Sequence, residues 1–433
     1  MSFLSSKLTF VYPIVFTWTR LVFLKNFSYE IRLTMKLRML GMETKNPKIM
    51  IKENKSLKSL LKPVTLYMCV GALFFAVSCK EDTQTPVADN VEFNNISISA
   101  PQEVPLTNSL AVGTLTVKYD KNSNKMDYTI TYSGLTPTAM HFHKGAVGVA
   151  GGVEQEVKGP YSSGMTGMLT LTDAQETDLL ANNWYLNVHS AASPGGEIRG
   201  QVVTENFVVF SNITLSGKEE VPSNSSTATG VFNALYDKTT KIVTYTVTVT
   251  GATASAMHLH KGNVGANGDV VVEIKGTSGA TAALTAAQEA DLLAGNLYFN
   301  AHTSAFAGGE VRGQVVTSDM AIFSNDATSA NEVPATGSAA KGSFYGAYSK
   351  ATKKLSYVFT YTGVTPTAMH FHKAAAGVNG DVVSAIAGPY SSGMSGNVTL
   401  TAVQETDLLS GLWYHNTHST AFAGGEIRAQ LIK

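Results

Sequence analysis

Nine of the chain's ten histidines fall into three sets of matching spacing: His141, His143 and His189; His258, His260 and His302; His370, His372 and His418. The tenth is His415, and none lies in the first hundred residues. Alternate side chains of an extended strand share a face, so in Met140-His141-Phe142-His143 both imidazoles lie opposite Met140 and Phe142. A His-x-His step sets two ligands about 7 Å apart at the Cα level, and three neutral imidazoles converging on one point would hold zinc or copper. The same alternation in residues 184–189 leaves Tyr185, Asn187 and His189 opposite Trp184, Leu186 and Val188. In residues 196–201 it sets Glu197, Arg199 and Gln201 across from Ile198, and Glu310 with Arg312 and Glu426 with Arg428 recur in the later sets. Three readings of this polar face stand side by side: a metal site, a hydrogen-bonded network that orders a loop over the sheet, and a surface that touches a partner directly. The spaced glycines after each pair, as in residues 144–151, are followed by an apolar strand-like run and not a helix, which predicts a tight turn and no phosphate cradle. The domains contain no GxSxG, no HExxH and no cysteine, so the residues name no enzyme.

These residues sit in a threefold repeat. TPTAMHFHKGAVGVAGG at 136–152 returns as ASAMHLHKGNVGANGD at 254–269 and TPTAMHFHKAAAGVNGD at 365–381. WYLNVHSAASPGGEIRGQVV at 184–203 likewise returns at 297–316 and 413–432, and QEVP, EEVP and NEVP open the copies at 102–105, 219–222 and 331–334. The period of 112–117 residues is that of a whole domain with its own core, and it sets boundaries near 91–203, 206–316 and 320–433. Within a copy, Tyr/Thr/Val-rich alternation on either side of an Asn/Ser/Lys turn at 118–132 predicts a β-hairpin. One short helix is predicted at LTDAQETDLL, where Thr172 and Gln175 have capping-box spacing, repeated at Thr285/Gln288 and Thr401/Gln404. The expected fold is all-β: three tandem antiparallel Greek-key sandwich or barrel domains, each with one short helix.

The net charge of zero hides a split. Residues 1–79 carry 12 Lys/Arg against 3 Asp/Glu, leaving 20 basic and 29 acidic residues beyond them. An acidic body repels phosphate backbones, so no nucleic-acid partner is expected. From Met50, four lysines precede an apolar run of about 14 residues at 64–77, too short for a bilayer span and shaped like a secretory signal. The two cysteines, Cys69 and Cys79, both lie in this region and offer neither a disulfide framework nor a CxxC metal motif. Because residues 50–78 form a complete signal by themselves, residues 1–49 are set aside as an upstream extension.

Ala76-Val77-Ser78 directly before Cys79 resembles the lipobox of bacterial lipoproteins, and Lys80-Glu81-Asp82 resembles the motif that sends some of them to the outer face of the outer membrane. That likeness implies a lipid on Cys79, a tether over 79–90, export through the inner membrane and surface display, with the membrane as a partner. The EVP opening, the HxHxG segment and the N-x-H-x5-GGE-[IV]-R-[GA]-Q ending together resemble the CHRD domain, first noticed in chordin, an extracellular antagonist of bone morphogenetic proteins. This resemblance implies an extracellular β-domain of no established activity, and hence three modules presented for binding or structural interaction with an unidentified extracellular ligand, where tandem copies gain avidity. The alternative function is a copper- or zinc-binding protein, possibly redox-related, with one histidine cluster per domain. The His-x-His step on a β-barrel is also similar to copper–zinc superoxide dismutase, but there is no zinc loop and no disulfide here.

Overall fold

The computed structural model describes residues 89–433, which belong to one compact unit. The extension 1–49, the signal 50–78, Cys79 and nearly all of the tether lie outside the described residues. The first domain runs β1 (Asn90–Ser99), β2 (Val112–Asp120), β3 (Lys125–Ser133), β4 (Pro137–Lys144), β5 (Val153–Glu156), β6 (Met165–Thr170), α1 (Asp173–Leu180), β7 (Trp184–Ser190) and β8 (Ile198–Gln201). These strands make one antiparallel, barrel-like sheet in the order β5-β4-β7-β8-β1-β2-β3-β6. Strands β9–β16 over 207–314 and β17–β24 over 320–430 build the same order twice more, each with one helix, α2 (Ala286–Leu293) and α3 (Ala402–Leu409). The chain is thus all-β, with three such sheets in tandem. No helix among the described residues is long and apolar enough to cross a membrane.

The elements follow from the sequence pattern. β2 and β3 pair from Val112↔Ser133 to Asp120↔Lys125, and their alternate residues Leu115, Val117, Tyr119, Met126, Tyr128 and Ile130 are buried. Each helix begins at a full capping box: Thr172 accepts from the Gln175 N–H while the Gln175 side chain accepts from the Thr172 N–H, and Thr285/Gln288 and Thr401/Gln404 repeat it. Met140 and Phe142 of β4, Trp184, Leu186 and Val188 of β7 and Ile198 of β8 close the first core.

β23 (Trp413–Ser419) departs from this pattern, since His415 and Thr417 occupy the core face where the first domain has Leu186 and Val188. His415 is fully buried against Phe344, Phe359 and Phe371, neither ring nitrogen has a partner among the described residues, and burial pushes its pKa down to about 3. His415→Leu should therefore stabilise the third domain by about 1–3 kcal/mol at neutral pH by removing unsatisfied polar atoms. The unfolded chain takes up a proton below its usual 6.5 whereas the folded imidazole resists until about 3. Stability is thus lost as pH falls through that window, and urea titrations should show the variant's advantage widening from pH 6.5 downward.

Candidate functional site

The three histidines of the first domain are brought together by pairing of β4 with β7, where His141 faces Asn187, His143 faces Tyr185 and Ala139 faces His189. One ring nitrogen from each of His141, His143 and His189 lies within 4.8 Å of the others, and the sets His258/His260/His302 and His370/His372/His418 converge in the same way. Hydrogen bonds to carbonyls fix which nitrogen two of the three rings offer. His143 Nδ1 donates to the Gly151 carbonyl at 3.0 Å, leaving a buried Nε2 with no partner among the described residues. His189 Nδ1 donates to the Pro194 carbonyl at 3.0 Å, so its Nε2 lone pair turns inward, 3.1 Å from His141 Nδ1. The third domain repeats this with His372 on Gly380, His418 on Ala423 and 3.0 Å between His370 Nδ1 and His418 Nε2.

The second domain is the most telling. His260 Nδ1 is bonded to the Gly268 carbonyl and His302 Nδ1 to the Ala307 carbonyl, yet the two Nε2 atoms face each other at 3.4 Å. Both are lone pairs in the neutral rings, so neither has a hydrogen to give the other. His258 Nδ1 beside them is buried and has no hydrogen-bond partner among the described residues. Burial lowers the pKa of His143, His189, His258, His260, His370 and His372, which favours the neutral, ligating form.

Behind the rings stands a stacked column. The His143 imidazole lies flat on Tyr185, with centroids 5.0 Å apart and planes at 8°, and the Arg199 guanidinium covers the other side of Tyr185 at 3.4 Å. Arg199 is buried, and its N–H groups donate to the carbonyls of Val149 and Ala146 and to Gln201 Oε1. Gln201 Nε2 donates to the Gly145 and Asn182 carbonyls, and the Tyr185 hydroxyl accepts from the Gly151 N–H. The bonds to Gly145, Ala146, Val149 and Gly151 hold the turn at 145–151 over the sheet, and that turn supplies the carbonyl that sets His143. Arg312 on Tyr298 and Arg428 on Tyr414 build the same column. Burial lowers the Arg199 pKa to about 10 against the opposing pull of Tyr185 and Glu103.

The carboxylates named with the arginines are not brought to the histidines. Glu197 accepts from Ser109 and Ser190, Glu310 from Ser226 and Thr303, and Glu426 from Ser338, where they brace the segment leading into the second strand of each domain. The acid near each arginine is instead the EVP glutamate. Glu103 accepts from Asn187 Nδ2 at 3.2 Å and from the Val104 N–H, and burial raises its pKa; Glu220 and Glu332 stand in the same place, raised by burial to about 7. The recurring EVP segments mark these three residues in the sequence, but only as repeat boundaries.

Family models match the CHRD domain at residues 95–202, 211–315 and 323–431. No curated protein and no solved structure matches the chain. Three consecutive matches, each over one sheet with its histidine cluster and together well over half of the chain, place this protein in the CHRD domain family as a tandem of three such domains.

Proposed function

We propose that each CHRD domain is a three-histidine site for one zinc or copper ion, so that the chain captures three. The pair of inward Nε2 lone pairs of His260 and His302 at 3.4 Å carries this reading. A zinc ion with nitrogen ligands at about 2.0–2.1 Å sets neighbouring nitrogens roughly 3.3 Å apart in a tetrahedron, whereas a purely hydrogen-bonded network needs a donor between them. The orphaned Nε2 atoms of His143 and His372 support it in the other domains. Three protein ligands leave a tetrahedral ion one position for an exogenous ligand. The carbonyls bonded to Nδ1 of His143, His189, His260, His302, His372 and His418 are the outer partners that hold these metal-ligating histidines in their tautomer.

A ligand that binds only the folded state raises its unfolding free energy, by about 2.7 kcal/mol at a hundredfold excess over Kd. Zinc should therefore raise the melting temperature of the 89–433 segment, and the combined substitution His143→Ala, His260→Ala and His372→Ala should remove the shift. An unchanged shift in that variant would place the metal elsewhere. Surface display through a lipid on Cys79 belongs to the same proposal, resting on sequence alone; release of the Cys79→Ser protein from membranes is its test, and persistence there would refute it.

A further inference from the structure

One outward-facing position, shared by the second strands of the three domains, differs in burial from domain to domain. It is Thr116 in β2, Asn233 in β10 (Thr229–Asp237) and Tyr345 in β18 (Lys341–Ser349). All three point away from the core, yet Asn233 is 8% and Tyr345 2% exposed, while Thr116 is open to solvent. The preceding domain makes the difference. Gly148, in the histidine loop of the first domain, abuts Asn233 so closely that a Cβ would fall 2.2 Å from the Asn233 side chain. Gly265, its counterpart in the second domain, meets Tyr345 in the same way. The EVP turns complete each joint: Asn212 Nδ2 donates to the carbonyls of Pro101 and Glu103, and Tyr345 Oη donates to the Glu220 carbonyl at 3.0 Å. Glu103 and Glu220 are equivalent, so one carbonyl serves both joints.

Among the described residues, the first and third domains carry the unmatched halves. In the third domain nothing among the described residues lies within 4 Å of a Cβ built on Gly377, and Ala376 and Val378 on either side are exposed. In the first domain the receiving face is a shallow groove of about 430 Å³ bordered by Thr116, Asp127, Tyr128 and Met168. The corresponding face of the third domain, at Ser356, Tyr357 and Asn397, shares its groove with Asn263 and Val264 of the second domain's loop. A joint made twice between the described domains is thus left half-made on the first and on the third.

We propose that copies of this chain associate end to end, the Ala376 loop tip and Glu332 turn of one copy seating on the Thr116 face of another. The two surfaces differ, so an added copy presents one of each again, and association continues past the dimer.

Sedimentation of the 89–433 segment, whose three cores close within it, tests this at concentrations up to about 1 mM. The average mass should rise with concentration without a plateau at the dimer. Thr116→Glu and Ala376→Glu, both at exposed positions, should each weaken association at least tenfold. Their equimolar mixture should stop at a heterodimer, since one variant keeps an intact tip and the other an intact face. A segment that stays monomeric, a wild-type plateau at the dimer, or association that survives either substitution would overturn the proposal.

Discussion

Replacing Arg199 by alanine is expected to destabilise the first domain by about 3–5 kcal/mol, the usual cost of removing one member of a buried charged arrangement and leaving the rest unpaired. Three acceptors lose a donor at once, namely the carbonyls of Val149 and Ala146 and Gln201 Oε1, with Ala146 keeping the Val149 N–H, and Tyr185 loses the guanidinium stacked on it. Glu103, buried and already held above the usual carboxylate range, loses the positive charge that offsets its burial. The turn at 145–151 then keeps from β8 only the Gln201 bond to the Gly145 carbonyl, and the Gly151 carbonyl that orients His143 loosens with it. Native-state hydrogen exchange reads this directly, because the second and third domains, with Arg312 and Arg428 in place, serve as references in the same molecule. Faster exchange confined to residues 90–201 is the expected result. Uniform exchange across all three domains would mean that the arginine column does not stabilise its own domain.

Phe142→Ala should cost a similar amount, about 3–5 kcal/mol, through a different mechanism. The Phe142 ring is fully buried, edge-on to Tyr128 at 5.6 Å between centroids and 5.9 Å from Trp184, so its removal opens a cavity lined by rigid aromatic rings. It lies between His141 and His143 on the opposite face of β4, where it fixes the strand that carries both. His141→Ala, which removes a half-buried side chain outside the core, should cost far less, because it leaves no core cavity. Urea denaturation of the two variants checks the ordering, and comparable losses would contradict the assignment of faces.

Period-two alternation, the internal repeat and the capping boxes made much of this architecture legible. They placed Met140 and Phe142 in the core, set His141 and His143 together on the other face, and marked the helix starts at Thr172, Thr285 and Thr401. The rest depended on contacts made far along the chain. Glu103 reaches Asn187 across 84 residues, a distance over which no local pattern carries information. Arg199 belongs to a face that reads as polar, yet it is buried because the turn at 145–151 folds over it. His415 counts as one more histidine in the sequence, and only its register with Trp413 assigns it to the core. At Thr116, Asn233 and Tyr345 the neighbouring domain, and not the residue type, decides burial.

The most direct test of the metal reading is elemental analysis of the 89–433 segment after exposure to zinc or copper and exhaustive dialysis. One tightly held ion per histidine cluster, three per chain, is the predicted result, falling by one with each cluster disabled through His143→Ala, His260→Ala or His372→Ala. A segment that retains no metal, or retains it undiminished when those histidines are replaced, would show that the three imidazoles of each domain are not a metal site.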